Sequence, residues 1–279
     1  MYLRVNGCNH FLEDTGPKGA QAILTLHGGG GMGDSRAKRQ AFGPLDDKYR
    51  VVTFDARGCG RSEEVGTPSY EQWCADAEAI RQELGLGKVI VAGGSSGGFL
   101  ALEYVLRYPD SCSALILRGT GAVTTDNEDL KRRVREAGLQ VDWDAFDRYW
   151  TGHALSDEDM REALWQFYSL YPAKGTWDPV EGRKKLDDLY FHHKAHNYTI
   201  QVNWKDWDLR PRLGEIKVPT LIVVGEQDWV KPIENSIVLR DGIPNSRLVV
   251  FEGCGHGPHT ENTPKFVATV RDFLAGNGL

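Results

Sequence analysis

The chain has 279 residues and a formal net charge of −6 at pH 7, so it is long enough for one large domain that needs no disulfide staples. The acidic balance, without long runs of Lys or Arg, argues against nucleic acids and anionic membranes as partners. No apolar run could span a bilayer and the first residues lack a secretory signal, so a cytoplasmic location is expected. The 5 cysteines form no C-x-x-C pair, which indicates reduced thiols.

The first part of the chain alternates between predicted strands and helices. Asn6-Gly7 between two short strand-like runs predicts a hairpin. Short apolar, β-rich runs that end in glycine and polar residues, as buried parallel strands do, lie at 22–29, 50–58, 89–93 and 114–119. Helices are predicted over 68–85 and 99–108. This alternation with short connections predicts a doubly wound, mostly parallel sheet.

The strand–helix alternation is interrupted between residues 123 and 212, where the chain is polar, charged and aromatic. Helices are predicted there at 127–137, 143–150, 157–170 and 180–193. Strand patterns resume at 219–228 and 247–256, and a last helix begins near Thr263-Pro264. We therefore expect a helical cap formed by residues 123–212, inserted into a core formed by residues 1–122 and 213–279.

A glycine-rich stretch after the predicted strand at 89–93 matches one catalytic pattern in two registers. Residues 93–98 read GGSSGG, so either Ser95 or Ser96 is the centre of a G-x-S-x-G motif. Such an elbow holds its serine on a tight turn from a strand to a helix and places backbone N–H groups at the helix N-terminus. Spacing alone admits either serine as a nucleophile.

The ends of other predicted strands supply what a serine nucleophile requires: a base, a carboxylate that orients the base, and donors for the oxyanion. HGGGG follows an early strand and offers an N–H at Gly29, VVGEQD ends in Asp228, and FEGCGH ends in His256. His259 is an alternative base that lies farther from its strand end. Each residue alone could be an ordinary loop residue, but the chain order Ser, Asp, His predicts an α/β-hydrolase fold.

Outside the cap, most of the sequence resembles the α/β-hydrolases of the proline iminopeptidase group. LHGGGG resembles that group's HGGPG, FDARGCGRS its DQRGCGRS, VAGGSSGG its GGSWGS, and GCGHGPHTENTPKF its histidine loop. The resemblance implies Ser95 as the nucleophile, with the backbone N–H groups of Ser96 and Gly29 as the oxyanion hole. It also implies an aminopeptidase that acts on a small molecule or short peptide, releases an N-terminal residue, proline first, and needs no metal or organic cofactor.

The sequence also departs from that group. It has no counterpart of the acids in that group's cap that hold a free amino terminus. Glu226, two residues before Asp228, is a candidate amine anchor, although it could be an exposed loop carboxylate. Asn197 lies where a cap acid would be expected, but an amide cannot neutralise an ammonium ion. An esterase or lactonase is therefore the alternative function, and a binding protein with a vestigial triad is a more distant one.

Other residues suggest weaker roles. His192, His193 and His196 lack the glutamate of an H-E-x-x-H motif, so they are expected on the surface or lining a pocket rather than binding metal. Cys59 and Cys254 are expected to pack as small residues, and Arg57 to tie loops together. The cap holds tryptophans that suggest a pocket for a compact apolar group, at positions 143, 150, 165, 177, 204 and 207.

Overall fold

The computed structural model describes residues 1–279, and its strands form a single sheet. The strands are β1 (Tyr2–Val5), β2 (Cys8–Thr15), β3 (Ala22–Leu26), β4 (Arg50–Phe54), β5 (Val89–Gly94), β6 (Cys112–Arg118), β7 (Thr220–Gly225) and β8 (Ser246–Phe251). They lie in the order β1-β2-β4-β3-β5-β6-β7-β8. The first two form the predicted antiparallel hairpin, β2 pairs antiparallel with β4, and all later pairs are parallel.

The helices are α1 (Arg36–Phe42), α2 (Tyr70–Glu83), α3 (Ser96–Arg107), α4 (Asn127–Glu136), α5 (Trp143–Thr151), α6 (Asp157–Trp165), α7 (Pro179–Asp187), α8 (His193–Tyr198), α9 (Ile233–Gly242), α10 (Pro258–Glu261) and α11 (Thr263–Gly276). None of them is long and apolar enough to cross a membrane.

Helices cover both faces of the sheet, which explains why its central strands read as continuous apolar runs. Successive side chains of a strand point to opposite faces. Accordingly Ile23 packs with Phe42 of α1 and Phe266 of α11, whereas Leu24 packs in the core that contains α2 and α3. The predicted doubly wound sheet is confirmed, and the carboxyl ends of its parallel strands β3 to β8 lie at one edge.

The helices α4 to α8 leave the sheet after β6 and return before β7. A bridge between Val123 and Asp208 joins the two ends of this insertion, and the N–H of Leu209 donates to the carbonyl of Ala122 at 2.8 Å. The insertion has its own apolar core, and Trp229 from the loop after β7 packs into that core. The insertion therefore lies over the carboxyl ends of the strands.

Several helix boundaries differ from those expected. The helix predicted over 157–170 ends at Trp165 and is followed by a 3-10 turn at Tyr168–Leu170. The helix predicted over 180–193 ends at Asp187, and a separate helix, α8, starts at His193. Asp157 explains this break. Its carboxylate accepts the backbone N–H of His193 at 2.7 Å, which gives a hydrogen-bond partner to an N–H group in the first turn of α8 that has none within the helix.

Candidate active site

The sharp turn between β5 and α3 has Ser95 at its apex. Ser95 adopts φ 54° and ψ −132°, a strained conformation for a residue other than glycine. Only glycine fits at 97, since a Cβ there would lie 2.4 Å from the carbonyl oxygen of Leu26. Ser96 is the first residue of α3, and its buried Oγ has no hydrogen-bond partner. The turn therefore has the geometry of an elbow centred on Ser95.

His256 and Asp228 come from the loops that follow β8 and β7. Nδ1 of His256 lies 2.8 Å from Oδ2 of Asp228. The other oxygen, Oδ1, accepts the backbone N–H groups of Val230 and Lys231 at 3.0 and 2.9 Å. An ionised carboxylate can only accept, so Nδ1 carries the proton and Nε2 is left as the basic nitrogen. Ser95 and His256 line the same cavity.

The glycine-rich loop after β3 lies against the elbow. A Cβ built on Gly28 would lie 3.3 Å from the Cβ of Ser95. Gly29 has φ 95°, and a Cβ there would lie 1.9 Å from the carbonyl oxygen of Met32, so only glycine is tolerated. Gly29 and Ser96 both line the cavity beside Ser95. The N–H of Ser96 is free of helical bonds because it belongs to the first turn of α3.

The cap holds the glycine-rich loop in place. The N–H of Gly33 donates to the carbonyl of Tyr190 at 2.7 Å, and the N–H of His192 donates to the carbonyl of Gly31 at 2.8 Å. His196 bonds through Nε2 to the carbonyl of Tyr149 at 2.8 Å. Burial lowers the pKa of His196 to about 4 against the opposing effect of backbone carbonyls, so this ring is neutral.

Glu261, which sequence reasoning missed, ties the histidine loop together. Its Oε2 accepts the N–H groups of Gly255 and Ala173, each at 2.9 Å, and its Oε1 accepts that of Gly257 at 2.9 Å. The two loop glycines flank His256, and Ala173 belongs to the cap. A glutamate five residues after a histidine carries no known pattern, so nothing in the sequence marked this contact.

The cavity has a volume of about 750 Å³ and lies between the strand ends and the cap. Its cap wall is aromatic, formed by Tyr149, Trp150, Tyr168, Tyr171 and Trp177. Several cap tryptophans pack elsewhere. Trp207, for example, lies 4.4 Å from Phe99 between ring centroids and donates to Glu103 at 2.8 Å. The aromatic content of the cap therefore serves both its packing and the cavity.

The two residues predicted to bind substrate do not line this cavity. Glu226 is exposed, and its Oε2 accepts the N–H of Gly253 at 2.9 Å. The amide of Asn197 forms two bonds with the backbone of Ala154, at 3.0 and 2.8 Å. In the structure both side chains bond to neighbouring loop backbone instead, so a contact of Glu226 or Asn197 with substrate stays a prediction that the cavity does not support.

The remaining histidines do not form a cluster, and each has its own surroundings. His192 bonds to the carbonyl of Gly60 at 3.1 Å and His193 to the carboxylate of Asp157 at 2.7 Å. His259 is buried, and neither of its ring nitrogens has a partner. No group of histidine, cysteine and carboxylate side chains is arranged to hold a metal ion.

Arg57 and the two cysteines of the motif loops are buried. The guanidinium of Arg57 forms two bonds with Asp76, at 2.8 and 2.9 Å, and also donates to backbone carbonyls. Burial raises the pKa of the Cys59 thiol to about 12, and it raises that of Cys254 as well. Both thiols are therefore protonated and poorly reactive.

Comparisons with known proteins agree with this architecture. The chain matches the alpha/beta hydrolase fold family over residues 21–263. It is 31% identical over 287 residues to the proline iminopeptidase PfmaB of Pestalotiopsis fici, covering 98% of each chain. It is 30% identical over 291 residues to a proline iminopeptidase of Thermoplasma volcanium, covering 99% of this chain and 96% of that one.

Among solved structures, the enol-lactonase of Burkholderia xenovorans LB400 superposes with a TM-score of 0.81 at 22% identity, covering 99% of this chain and 100% of the other. At that identity the similarity concerns the fold. The chain therefore belongs to the α/β-hydrolase family, where it is an enzyme similar to proline iminopeptidases over nearly its whole length.

Proposed function

We propose that the protein hydrolyses an acyl bond through a covalent intermediate on Ser95, with His256 as the base and Asp228 as the carboxylate that orients it. One observation carries the proposal: a buried histidine–aspartate pair at 2.8 Å opens onto a cavity that is also lined by a serine in a strained turn. Strain of this kind persists where the surrounding structure enforces it, and it concentrates at functional sites.

The reaction follows from these positions. As Oγ of Ser95 attacks the substrate carbonyl carbon, Nε2 of His256 takes its proton, and Asp228 stabilises the resulting imidazolium. The N–H groups of Gly29 and Ser96 bind the carbonyl oxygen as it gains negative charge. Nε2 then gives the proton to the leaving amine or alcohol, which departs as the C–N or C–O bond breaks. Water, deprotonated by Nε2 of His256, attacks the carbonyl carbon of the acyl-enzyme; the bond between that carbon and Oγ then breaks, and Nε2 returns the proton to Oγ, which releases the acid and regenerates Ser95.

An N-terminal prolyl bond is the first candidate substrate. The support is the similarity to proteins named proline iminopeptidases, at 31% and 30% identity over almost the entire chain. The aromatic wall formed by residues such as Trp150 and Tyr171 suits a compact ring. We therefore infer a proline iminopeptidase-like aminopeptidase activity.

Hydrolysis of an ester or lactone is the second candidate, favoured by the charges in the cavity. Neither Glu226 nor Asn197 lines it, so the cavity gives no support to Glu226 as the anchor of a substrate ammonium group. Lys38, Arg118 and Lys231 are instead buried along its wall, and of the acids on that wall only Asp34 is buried, where it pairs with Arg36. Such a cavity favours neutral or anionic substrates over cationic ones.

A direct comparison of substrates tests the proposal. Prolyl-naphthylamide and p-nitrophenyl acetate are assayed with the wild-type protein and with Ser95→Ala, and a fluorophosphonate probe is located by mass spectrometry. We expect labelling of Ser95, turnover of the prolyl amide, and loss of both activities in the variant. Turnover of the ester alone would select the second candidate. An unlabelled Ser95 in folded protein would reject the acyl-enzyme.

A further inference from the structure

Three side chains that can carry positive charge line the part of the cavity next to α1 and α10. They are Lys38 on α1, Arg118 at the end of β6 and His259 on α10, and they are 4%, 7% and 5% exposed. We call this part of the cavity the cationic arm. Lysine and arginine are rarely this buried without a carboxylate partner, because an unpaired buried charge is costly.

Arg118 is fixed beside the catalytic residues. Its Nη1 donates to the carbonyl of His256 at 2.6 Å, and its own carbonyl accepts the N–H of Ser95 at 2.9 Å. The guanidinium packs against the elbow, since a Cβ built on Gly94 would lie 2.6 Å from its Cζ. Nε and Nη2 of Arg118 have no protein acceptor. A group bound to them would therefore lie close to the nucleophile.

The carboxylates around the arm are already committed. Asp228 and Glu261 are the acids whose negative charge raises the pKa of Arg118 against the larger effect of burial. The first bonds to His256 and to two backbone N–H groups, and the second accepts three backbone N–H groups. Neither carboxylate forms an ion pair with Arg118 or Lys38. The positive charge of the arm is thus left without a partner from the chain.

The charge states of the arm follow from its surroundings. Burial lowers the pKa of Arg118 to about 10, so it stays charged at neutral pH. Burial and the charge of Arg118 hold the pKa of Lys38 well below its usual range. Burial, together with the nearby Arg118, Lys38 and His256, also holds the pKa of His259 well below its usual value. An anion placed between Arg118 and Lys38 would favour the protonated form of Lys38.

We propose that the cationic arm binds a carboxylate group carried by the substrate, with Arg118 and Lys38 as its donors and His259 as the neutral wall. The planar fork of an arginine matches a carboxylate, and the protonated form of Lys38, which a nearby anion favours, supplies a second charge. The role as a substrate site rests on the proposed function, because the arm adjoins the elbow of Ser95. The binding itself needs no turnover.

Calorimetry with glutarate tests this binding, in two buffers that differ in ionisation enthalpy so that proton uptake is measured. Wild-type protein and Ser95→Ala should bind glutarate and take up protons, whereas neutral glutaramide should bind much more weakly. Lys38→Met should weaken glutarate binding by about tenfold or more and abolish proton uptake. Lys185→Met removes the same charge from the exposed rim of the cavity and should change little.

The outcomes separate this proposal from the proposed hydrolysis. Absence of glutarate binding, or equal losses in Lys38→Met and Lys185→Met, would overturn the cationic arm while leaving the Ser95 chemistry intact. Tighter binding of inorganic phosphate than of glutarate would also overturn it, since a phosphate group would then be the ligand. Lys38→Gln, which keeps a polar side chain without a titratable proton, guards against misfolding of the methionine variant and should likewise lose proton uptake.

Discussion

Nδ1 of His256 lies 2.8 Å from Oδ2 of Asp228, and the second carboxylate oxygen is held by two backbone N–H groups. In Asp228→Asn the backbone donors would keep the amide oxygen, so the NH₂ group would face Nδ1. The ring would then carry its proton on Nε2 and could not accept one from Ser95. We expect kcat to fall by about 10³- to 10⁴-fold with KM little changed. Steady-state kinetics beside the exposed variant Asp241→Asn measures this, and an unchanged kcat would contradict it.

The two neighbouring serines should respond differently to alanine. Ser95→Ala removes the proposed nucleophile and should lower kcat by several orders of magnitude. Ser96→Ala should keep much of the activity, because Ser96 offers only its backbone N–H, and its buried hydroxyl has no partner to lose. Intact-protein mass spectrometry after a fluorophosphonate probe locates the reactive serine independently. A larger loss in Ser96→Ala than in Ser95→Ala would identify Ser96 as the nucleophile instead.

The fold and the strand-end residues could be predicted because local signals fix them. Apolar runs bounded by glycine mark the strands, and the spacing around Ser95 reflects backbone approaches that admit glycine alone, such as that of Gly97 to Leu26. The small residues that these approaches require lie together at 93–98, so they can be read in the sequence although the backbone they approach belongs to a distant strand. The expected order of strand ends then brings Asp228 and His256 together.

The side chains that line the cavity could not be predicted in the same way, since their positions depend on contacts between distant segments. Glu226 is only two residues from Asp228, yet the contact of its loop with Gly253 turns it to solvent. Lys38 reads as one of several basic residues on a short helix, and only the packing of α1 against α10 reveals its burial. Sequence spacing contains neither contact.

Glu226→Gln should therefore leave the enzyme's kinetics unchanged. The side chain is exposed, lies outside the cavity, and the amide oxygen of glutamine can still accept the N–H of Gly253. We expect kcat/KM for prolyl-naphthylamide and for p-nitrophenyl acetate to stay within about twofold of wild type. A selective loss with the amine-bearing substrate would show that the loop closes over the cavity during binding and would restore Glu226 as an amine anchor.

Glu261 lines the cavity, and its expected role is to position His256 through the backbone of the histidine loop. Removing its carboxylate in Glu261→Ala frees the N–H groups of Gly255 and Gly257 on either side of the histidine. We expect kcat to fall by about tenfold while KM stays nearly constant, because a small displacement of the base acts on the reaction step. Glu261→Gln should recover part of the rate. Glu252→Ala, an exposed change in the same loop, is the control, and an equal loss there would reject the positioning role.

Lys231 should make stability depend on pH in a direction set by its burial. Its Nζ donates to the carbonyl of Val123 at 2.9 Å and lies 4.7 Å from the ring centroid of Phe99. Burial lowers its pKa from 10.5 to about 7, opposed by Asp228 and aided by Arg133. Between pH 7 and 10.5 the unfolded chain therefore binds more protons at this residue than the folded chain does.

The cost of burying the Lys231 ammonium group is thus full below pH 7, shrinks as pH rises, and is gone by pH 10.5. Lys231→Met removes this cost, so its free energy of unfolding should exceed that of wild type most at low pH and lose this advantage as pH rises. Urea unfolding of both proteins across the range measures the difference. The signature is its slope with pH, because the lost contacts with Val123 and Phe99 also shift its absolute value. A difference that stays constant across this range would mean that Lys231 keeps an ordinary pKa in the folded protein.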